Sequence, residues 1–190
     1  MLALFVSLIG FGCAQKSYIS VQQIVPPPTW SKVAIMPFSG DAKMAEVASG
    51  ILMNELENKT HFEFIPQKAE PAFAPPMMLP EDMEAQPNHL TSSQAQKRAI
   101  QMNVDAYFQG NIVSEKRGKN FDAFTTIDLV ETASGRIVAS THRPSGELLA
   151  TSEEECVIAA TERASKDMVK AISRLHIQKA TPPSPKSKRR

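Results

Sequence analysis

Soft metal ligands are the residues with the clearest potential for chemistry in this sequence. Met77, Met78, Met83 and His89 lie in residues 66–90, a segment that also contains six prolines. Thioether sulfur and imidazole nitrogen are ligands that copper(I) accepts. The other interpretation is that these methionines pack on the domain or on a partner, as flexible thioethers often do. We favour packing, because nothing in a proline-rich loop fixes the ligand geometry, and we therefore expect no cofactor.

The sequence does not assemble the usual catalytic sets. Ser145 lies in Pro-Ser-Gly, which differs from the nucleophile elbow of α/β-hydrolases. Asp122 and Asp128 share a strand face but lie about 20 Å apart at ~3.3 Å per residue, too far for a carboxylate pair. The sequence has no phosphate loop, zinc-ligand spacing or dinucleotide fingerprint. These patterns predict a protein that is not an enzyme, and the four histidines are scattered along the chain: His61, His89, His142 and His176.

The N-terminus has the pattern of an export signal followed by a cysteine. Residues 1–12 are uncharged and rich in leucine, isoleucine, valine and phenylalanine, too few to span a bilayer but suited to a signal peptide. Gly12 and Cys13 end this run, and the chain then turns polar. The pattern predicts a bacterial lipoprotein in which Cys13 is acylated, palmitate being one of its chains. The alternatives are a plain signal cleaved after Ala14, or a membrane stub in which Cys13 has no role.

The remaining chain divides into a tether, one domain and a tail. Residues 13–31 contain Pro26, Pro27 and Pro28, which favour an extended spacer between membrane and domain. Residues 32–178 are predicted to form the domain, with the proline-rich loop 66–90 inside it. The composition of residues 179–190, rich in proline, serine and basic residues, predicts a disordered basic tail. Without its five basic residues the net charge of +1 becomes −4, which argues against a nucleic-acid partner.

Hydrophobic periodicity predicts an α+β fold, an α/β sandwich in which three helices pack on a mixed sheet with an antiparallel meander. The sheet is expected to have about four to five strands. Two helices are predicted to begin at capping boxes, Thr91–Gln94 and Thr151–Glu154. The predicted strands cover 33–38, 61–65, 104–113, 121–130 and 137–141, and the helices cover 44–58, 91–103 and 151–175.

Three segments in this order resemble a known family. Lys32–Phe38, Asn103–Ile112 and Leu129–Val138 look like the corresponding strands and turn of the CsgG-like, or TolB N-terminal-like, superfamily of bacterial envelope lipoproteins, which includes LpoB and PelC. The resemblance spans about residues 32–175. Each matching segment has a structural role, such as a central strand or a glycine-closed hairpin turn, and none is a catalytic signature.

The resemblance implies a lipid-anchored protein on the periplasmic side of the outer membrane in a diderm bacterium. Its implied role is that of an assembly or accessory component of an envelope export or peptidoglycan-synthesis machine, with envelope proteins as partners and a homo-oligomeric ring as one form. Neither 66–90 nor 114–120 offers the roughly nine to eleven alternating residues per strand of a membrane barrel. We therefore expect no autonomous pore. The alternative function is a soluble periplasmic metal or small-ligand carrier that uses the methionine-rich loop.

Three aromatic side chains are candidates for an interaction surface, because aromatic anchors dominate binding interfaces. Tyr107 and Phe124 are predicted to lie on the exposed side of the meander, and Trp30 follows the proline run. In the alternative interpretation, Tyr107 and Phe124 cover the sheet under a helix, and Trp30 fixes the tether to the domain.

Overall fold

The computed structural model describes residues 17–23, 29–66, 90–146 and 152–175. Within these ranges the chain forms one mixed sheet of six strands and three helices, which confirms the α+β class with one strand more than predicted. The strands lie in the order β1-β6-β5-β4-β2-β3. The elements are β1 (Tyr18–Val21), β2 (Lys32–Ile35), α1 (Ala42–Glu57), β3 (Glu63–Phe64), α2 (Ser92–Gln101), β4 (Ala106–Arg117), β5 (Asn120–Glu131), β6 (Ile137–Pro144) and α3 (Glu153–Arg174).

The additional strand, β1, lies in the segment that the sequence predicted as a tether. Tyr18–Val21 pairs antiparallel with β6, with Tyr18 opposite His142 and Val21 opposite Ala139. Alternate residues of β1, Ile19 and Val21, pack against the main core. The prediction of a spacer over 13–31 is therefore wrong for these residues. The prolines of 24–28 lie outside the described residues, and they join two strands of the same sheet.

The strand predicted at 33–38 is found inside the sheet, between β3 and β4. Strand β2 runs parallel to both neighbours. Its extended path continues past Ile35, because the Met36 amide donates to Phe108 O at 2.8 Å and the Ser39 amide to Gly110 O at 2.9 Å. Asp41 caps α1 by accepting from the amides of residues 43 and 44. The buried run of β2 thus leads directly into a helix with one buried side.

The sheet is covered unequally on its two faces. The main core lies between one face and the pair α1 and α3, and it holds Phe38, Leu52, Ile127 and Met168 without exposed surface. A smaller cluster lies on the other face under α2. It consists of Ala34, Met36, Ala95, Ala99, Val104, Tyr107 and Val130. None of the described helices is long and apolar enough to cross a membrane.

Strands β4 and β5 form a hairpin longer than predicted. The sequence placed the turn at 115–120, but pairing continues to Arg117 opposite Asn120. The connection is therefore a two-residue turn, and Gly118 in it has a positive φ of 64°. The residues of β5 that precede Phe124, toward the turn, have no ladder partner in β6. The tip of the hairpin therefore extends past β6.

Helix caps and two carboxylates, the half-buried Asp105 and the buried Asp167, hold the elements in place. The capping box predicted at Thr91 is present. Helix α3 begins one residue later than predicted, with Ser152 as its N-cap. The carboxylate of Asp105 accepts from two backbone amides at the start of β2, at 2.7 and 2.9 Å. On α3, the buried carboxylate of Asp167 pairs with Arg143.

Candidate functional site

The face of the sheet that carries α2 is covered by described residues at only one end. Strand alternation places Phe124, Thr126 and Asp128 of β5 on the same face as Val130, which α2 covers. Their neighbours on the adjacent strands share this face. We call this set the open face, and it consists of Tyr18, Gln109, Asn111, Val113, Phe124, Thr126, Asp128, Ser140 and His142.

Three rings stack across neighbouring strands of the open face. The His142 ring lies between those of Tyr18 and Phe124, with centroids 5.4 and 6.0 Å away and planes inclined by 11° and 4°. Thr126 Oγ1 lies 2.9 Å from His142 Nδ1, a hydrogen bond that orients the imidazole. Tyr18 keeps 47% and nearby Val113 43% of its surface exposed. The region therefore presents rigid aromatic and apolar surface to solvent, as binding interfaces do.

A cavity of about 140 Å³ lies where the open face meets α2. Asp128 lines it, and Ser140 Oγ donates to the carboxylate at 2.6 Å. Burial raises the pKa of the Asp128 carboxyl above its ordinary value, while hydrogen bonds from Ser140 and Gln109 oppose that rise. The other polar side chains of the cavity are hydroxyls and amides, from Ser39, Ser92, Gln109, Asn111 and Thr126. Such a set can hydrogen-bond a small polar group or a partner's side chain.

A larger, mainly apolar cavity of about 660 Å³ lies beside α1. Pro37, Met53 and Pro66 are among its lining residues, with Glu46 as its charged member. Pro66, on the wall of this cavity, is the last described residue before the gap at 67–89. Within the described ranges, no three histidine, cysteine, aspartate or glutamate side chains gather as ligands for a metal ion.

The structure buries two of the three aromatic candidates. Tyr107 is 1% exposed in the cluster under α2, and burial raises the pKa of its hydroxyl. Trp30 is 5% exposed in the main core. Neither can anchor a partner on this surface without rearrangement, so the alternative interpretation of Tyr107 is the one observed. Phe124 is half-buried in the ring stack on the open face.

The other candidates cannot be placed. Cys13, the predicted lipidation site, lies outside the described residues, and so do the soft ligands Met77, Met78, Met83 and His89. Sequence reasoning missed Tyr18 and His142 as members of the surface. For His142 the sequence did hold a signal. Neighbouring residues of a strand face opposite sides of the sheet, so a buried Thr141 places His142 on the other face. Tyr18 joins the stack only through the pairing of β1 with β6, and the local sequence does not specify that pairing.

No protein-family model matches this chain, and no curated protein matches it significantly. Solved structures similar to it include a PelC dodecamer from Paraburkholderia phytofirmans, 10% identical with a TM-score of 0.49, covering 80% of this chain and 97% of that one. The C-terminal domain of LpoB from Salmonella enterica is 14% identical with a TM-score of 0.40, covering 63% and 85%. TolB from Acinetobacter baumannii is 14% identical with a TM-score of 0.37, covering 83% and 31%.

Proposed function

We propose that this protein is a non-catalytic accessory component of an envelope assembly, anchored to a membrane through acylated Cys13 and binding protein partners with its open face. The observation that supports partner binding is the ring stack of Tyr18, His142 and Phe124 beside exposed Val113. Rigid rings lose little conformational entropy on binding, so a stack that is ordered before contact favours association.

The anchor is supported by the sequence. An uncharged apolar run ends at Gly12-Cys13, and the described domain begins a few residues later. Several acyl chains on one residue hold a protein far more firmly than one chain does. The resemblance to envelope lipoproteins supports a periplasmic location, and the export and cell-wall branches of that group are both compatible with such an anchor.

The partner can be identified by site-specific photo-crosslinking in intact cells. A photoreactive amino acid in place of Val113 probes the open face. The matched control carries it in place of Asn54, which is exposed on α1, on the opposite side of the sheet. We expect crosslinks from position 113 to an identified envelope protein or to a second copy of this chain, and none from position 54. Equal crosslinking from both positions, or none from 113, would contradict binding through the open face.

The anchor needs its own experiment. Metabolic labelling with a fatty-acid probe should label the wild-type chain and leave Cys13→Ser unlabelled. Cys13→Ser should also move from the membrane to the soluble fraction. An unlabelled wild-type chain, with fractionation unchanged by the substitution, would refute the anchor.

A further inference from the structure

The cavity between the open face and α2 contains a carboxylate without a cation. Asp128 lines it, flanked in register by Gln109 on β4 and Ser140 on β6. Ser140 Oγ donates to the carboxylate at 2.6 Å, and the Gln109 side chain donates a second hydrogen bond. None of the ion pairs among the described residues includes Asp128. Only neutral groups therefore solvate this half-buried charge, and burying a charge is costly unless it is paired.

The cavity disfavours an anion and suits a singly charged cation. An anion would face the carboxylate of Asp128, and Ser92 at the N-terminus of α2 adds only about half a positive charge. A single carboxylate balances one positive charge, and the described residues hold no ligand cluster for a metal ion. Asn111 Oδ1 accepts from Ser39 Oγ at 2.8 Å and keeps a second lone pair. Together with the remaining lone pairs of the carboxylate, it offers acceptors for the three N–H donors of an ammonium group.

The volume and the apolar walls of the cavity match the end of a lysine side chain. The cavity measures about 140 Å³. That is the liquid volume of roughly four to five water molecules at ~30 Å³ each, which is close to the number of non-hydrogen atoms in a lysine side chain. Its apolar wall consists of Met36, Pro37, Leu90 and Ala95. A lysine stem packs on such surface while its ammonium group reaches a polar partner.

The cavity opens beside the ring stack. Asn111 and Ser92, which line it, are exposed to solvent. Thr126 also lines it, and the hydroxyl of Thr126 lies 2.9 Å from Nδ1 of His142, the middle ring of the stack. A protein that lies on the rings therefore needs only one long side chain to reach Asp128.

We propose that this cavity receives the ammonium group of a lysine side chain from the protein that binds the open face. The inference rests on the proposed function, and it names the chemical group by which the partner is recognised. The stacked rings then supply contact area, while Asp128 supplies the charge that selects and orients the partner.

A small amine tests the cavity on the purified full chain. n-Butylammonium has the four-carbon stem and the ammonium group of lysine, and it is titrated into isotope-labelled protein at constant chloride, with KCl as the reference salt. The backbone amide shifts of Gly110, Asn111 and Thr126, measured by NMR, should saturate in the millimolar range with butylammonium and not with KCl. Asp128→Asn should weaken this binding by about tenfold or more, because the charge is lost and the shape is kept.

A matched variant controls for the general loss of a negative charge. Asp122→Asn removes the same charge from the same face of β5, six residues toward the hairpin turn. Six residues of strand correspond to about 20 Å, which exceeds the screening length of about 8 Å at physiological salt. Asp122→Asn should therefore change the affinity for butylammonium by less than about twofold.

Photo-crosslinking in intact cells tests the partner. With the photoreactive amino acid in place of Val113, crosslinks should fall by about tenfold in Asp128→Asn and remain in Asp122→Asn. The crosslinked peptide identifies the partner's segment, and replacing the lysine of that segment with glutamine should cause the same loss. Combining that replacement with Asp128→Asn should cause no further loss, as expected for two groups that contact each other.

The outcomes separate the cavity from the proposed function. Crosslinks from position 113 that Asp128→Asn leaves unchanged overturn the lysine contact and leave binding through the open face standing. An absence of crosslinks from position 113 in the otherwise unsubstituted chain overturns both. Amide shifts that KCl reproduces or that persist in Asp128→Asn, or an equal loss in Asp122→Asn, overturn the cavity as the site. Circular dichroism matched to the wild-type chain confirms that the compared variants are folded.

Discussion

Replacing Gly110 with alanine tests the closest approach in the core, where the Phe38 ring lies against the glycine backbone. A Cβ at this position would lie 2.3, 2.4 and 2.5 Å from Cε2, Cδ2 and Cζ of Phe38. Carbon atoms in contact prefer about 3.5–4.0 Å, so the ring would have to move by more than ~1 Å. Phe38 has no exposed surface and packs in the main core, which leaves it no solvent to move into.

The magnitude follows from two limits. Overpacking a core usually costs about 1–3 kcal/mol, and losing the packing of a buried phenylalanine costs ~3–5 kcal/mol. Because the clash involves one whole edge of the ring, we expect Gly110→Ala to lower the free energy of unfolding by about 3 kcal/mol. Urea unfolding followed by the fluorescence of Trp30, the single tryptophan of the sequence and 5% exposed, measures this value.

Two controls accompany the measurement. Gly50 lies within α1 and an added Cβ would meet nothing within 4 Å, so Gly50→Ala should stabilise the protein by about 0.5–1 kcal/mol. Combining Gly110→Ala with Phe38→Leu removes ring atoms from the clash and should recover part of the loss. A change of less than ~0.5 kcal/mol for Gly110→Ala alone would show that the ring is free to move, and would refute the reasoning.

Four further substitutions test three carboxylates, of which Asp105 and Asp128 are half-buried and Asp167 is buried, by urea unfolding. Asp105→Ala removes the acceptor of two amides at the start of β2 and should cost about 2 kcal/mol; a cost near zero would contradict this role. Burial raises the pKa of Asp128, so its ionisation opposes folding, and the penalty is absent below the unfolded pKa of about 4 and grows above it. Asp128→Asn should therefore gain stability over the wild type as pH rises through this range, and a pH-independent difference would contradict the assignment. Arg143→Ala leaves the Asp167 carboxylate, 8% exposed, without its main partner and should cost ~3 kcal/mol, whereas Lys170→Ala, at a 65% exposed side chain, should cost about 0.5 kcal/mol. Equal costs for the last two would contradict that ranking.

Local patterns predicted much of the fold because they depend on nearby residues. The apolar run after Lys32, the stripe of α1 and the capping box at Thr91 are all specified within a few positions of the chain. The alternation of β5 correctly predicted which side chains share a face, including Phe124 and Asp128.

Features that depend on pairing between distant segments were missed. Tyr18–Val21 is only four residues long, and its β conformation follows from antiparallel pairing with β6 more than a hundred residues later. The same pairing brings Tyr18 against His142, so the ring stack could not be read from either segment alone. Tyr107 alternates like an exposed residue, and it is buried because α2 lies over that end of the sheet. The sequence of a strand does not show whether a helix from another part of the chain will cover it.

The late partner of β1 also affects when the domain can form. A chain that crosses a membrane N-terminus first delivers Tyr18 long before His142, its opposite residue 124 positions later in the sequence. Until β6 emerges, β1 has no neighbouring strand in the sheet. If Cys13 is acylated during export, as proposed, the modifying enzyme would meet the chain before β1 has its partner, and the sheet would close over its first strand afterwards.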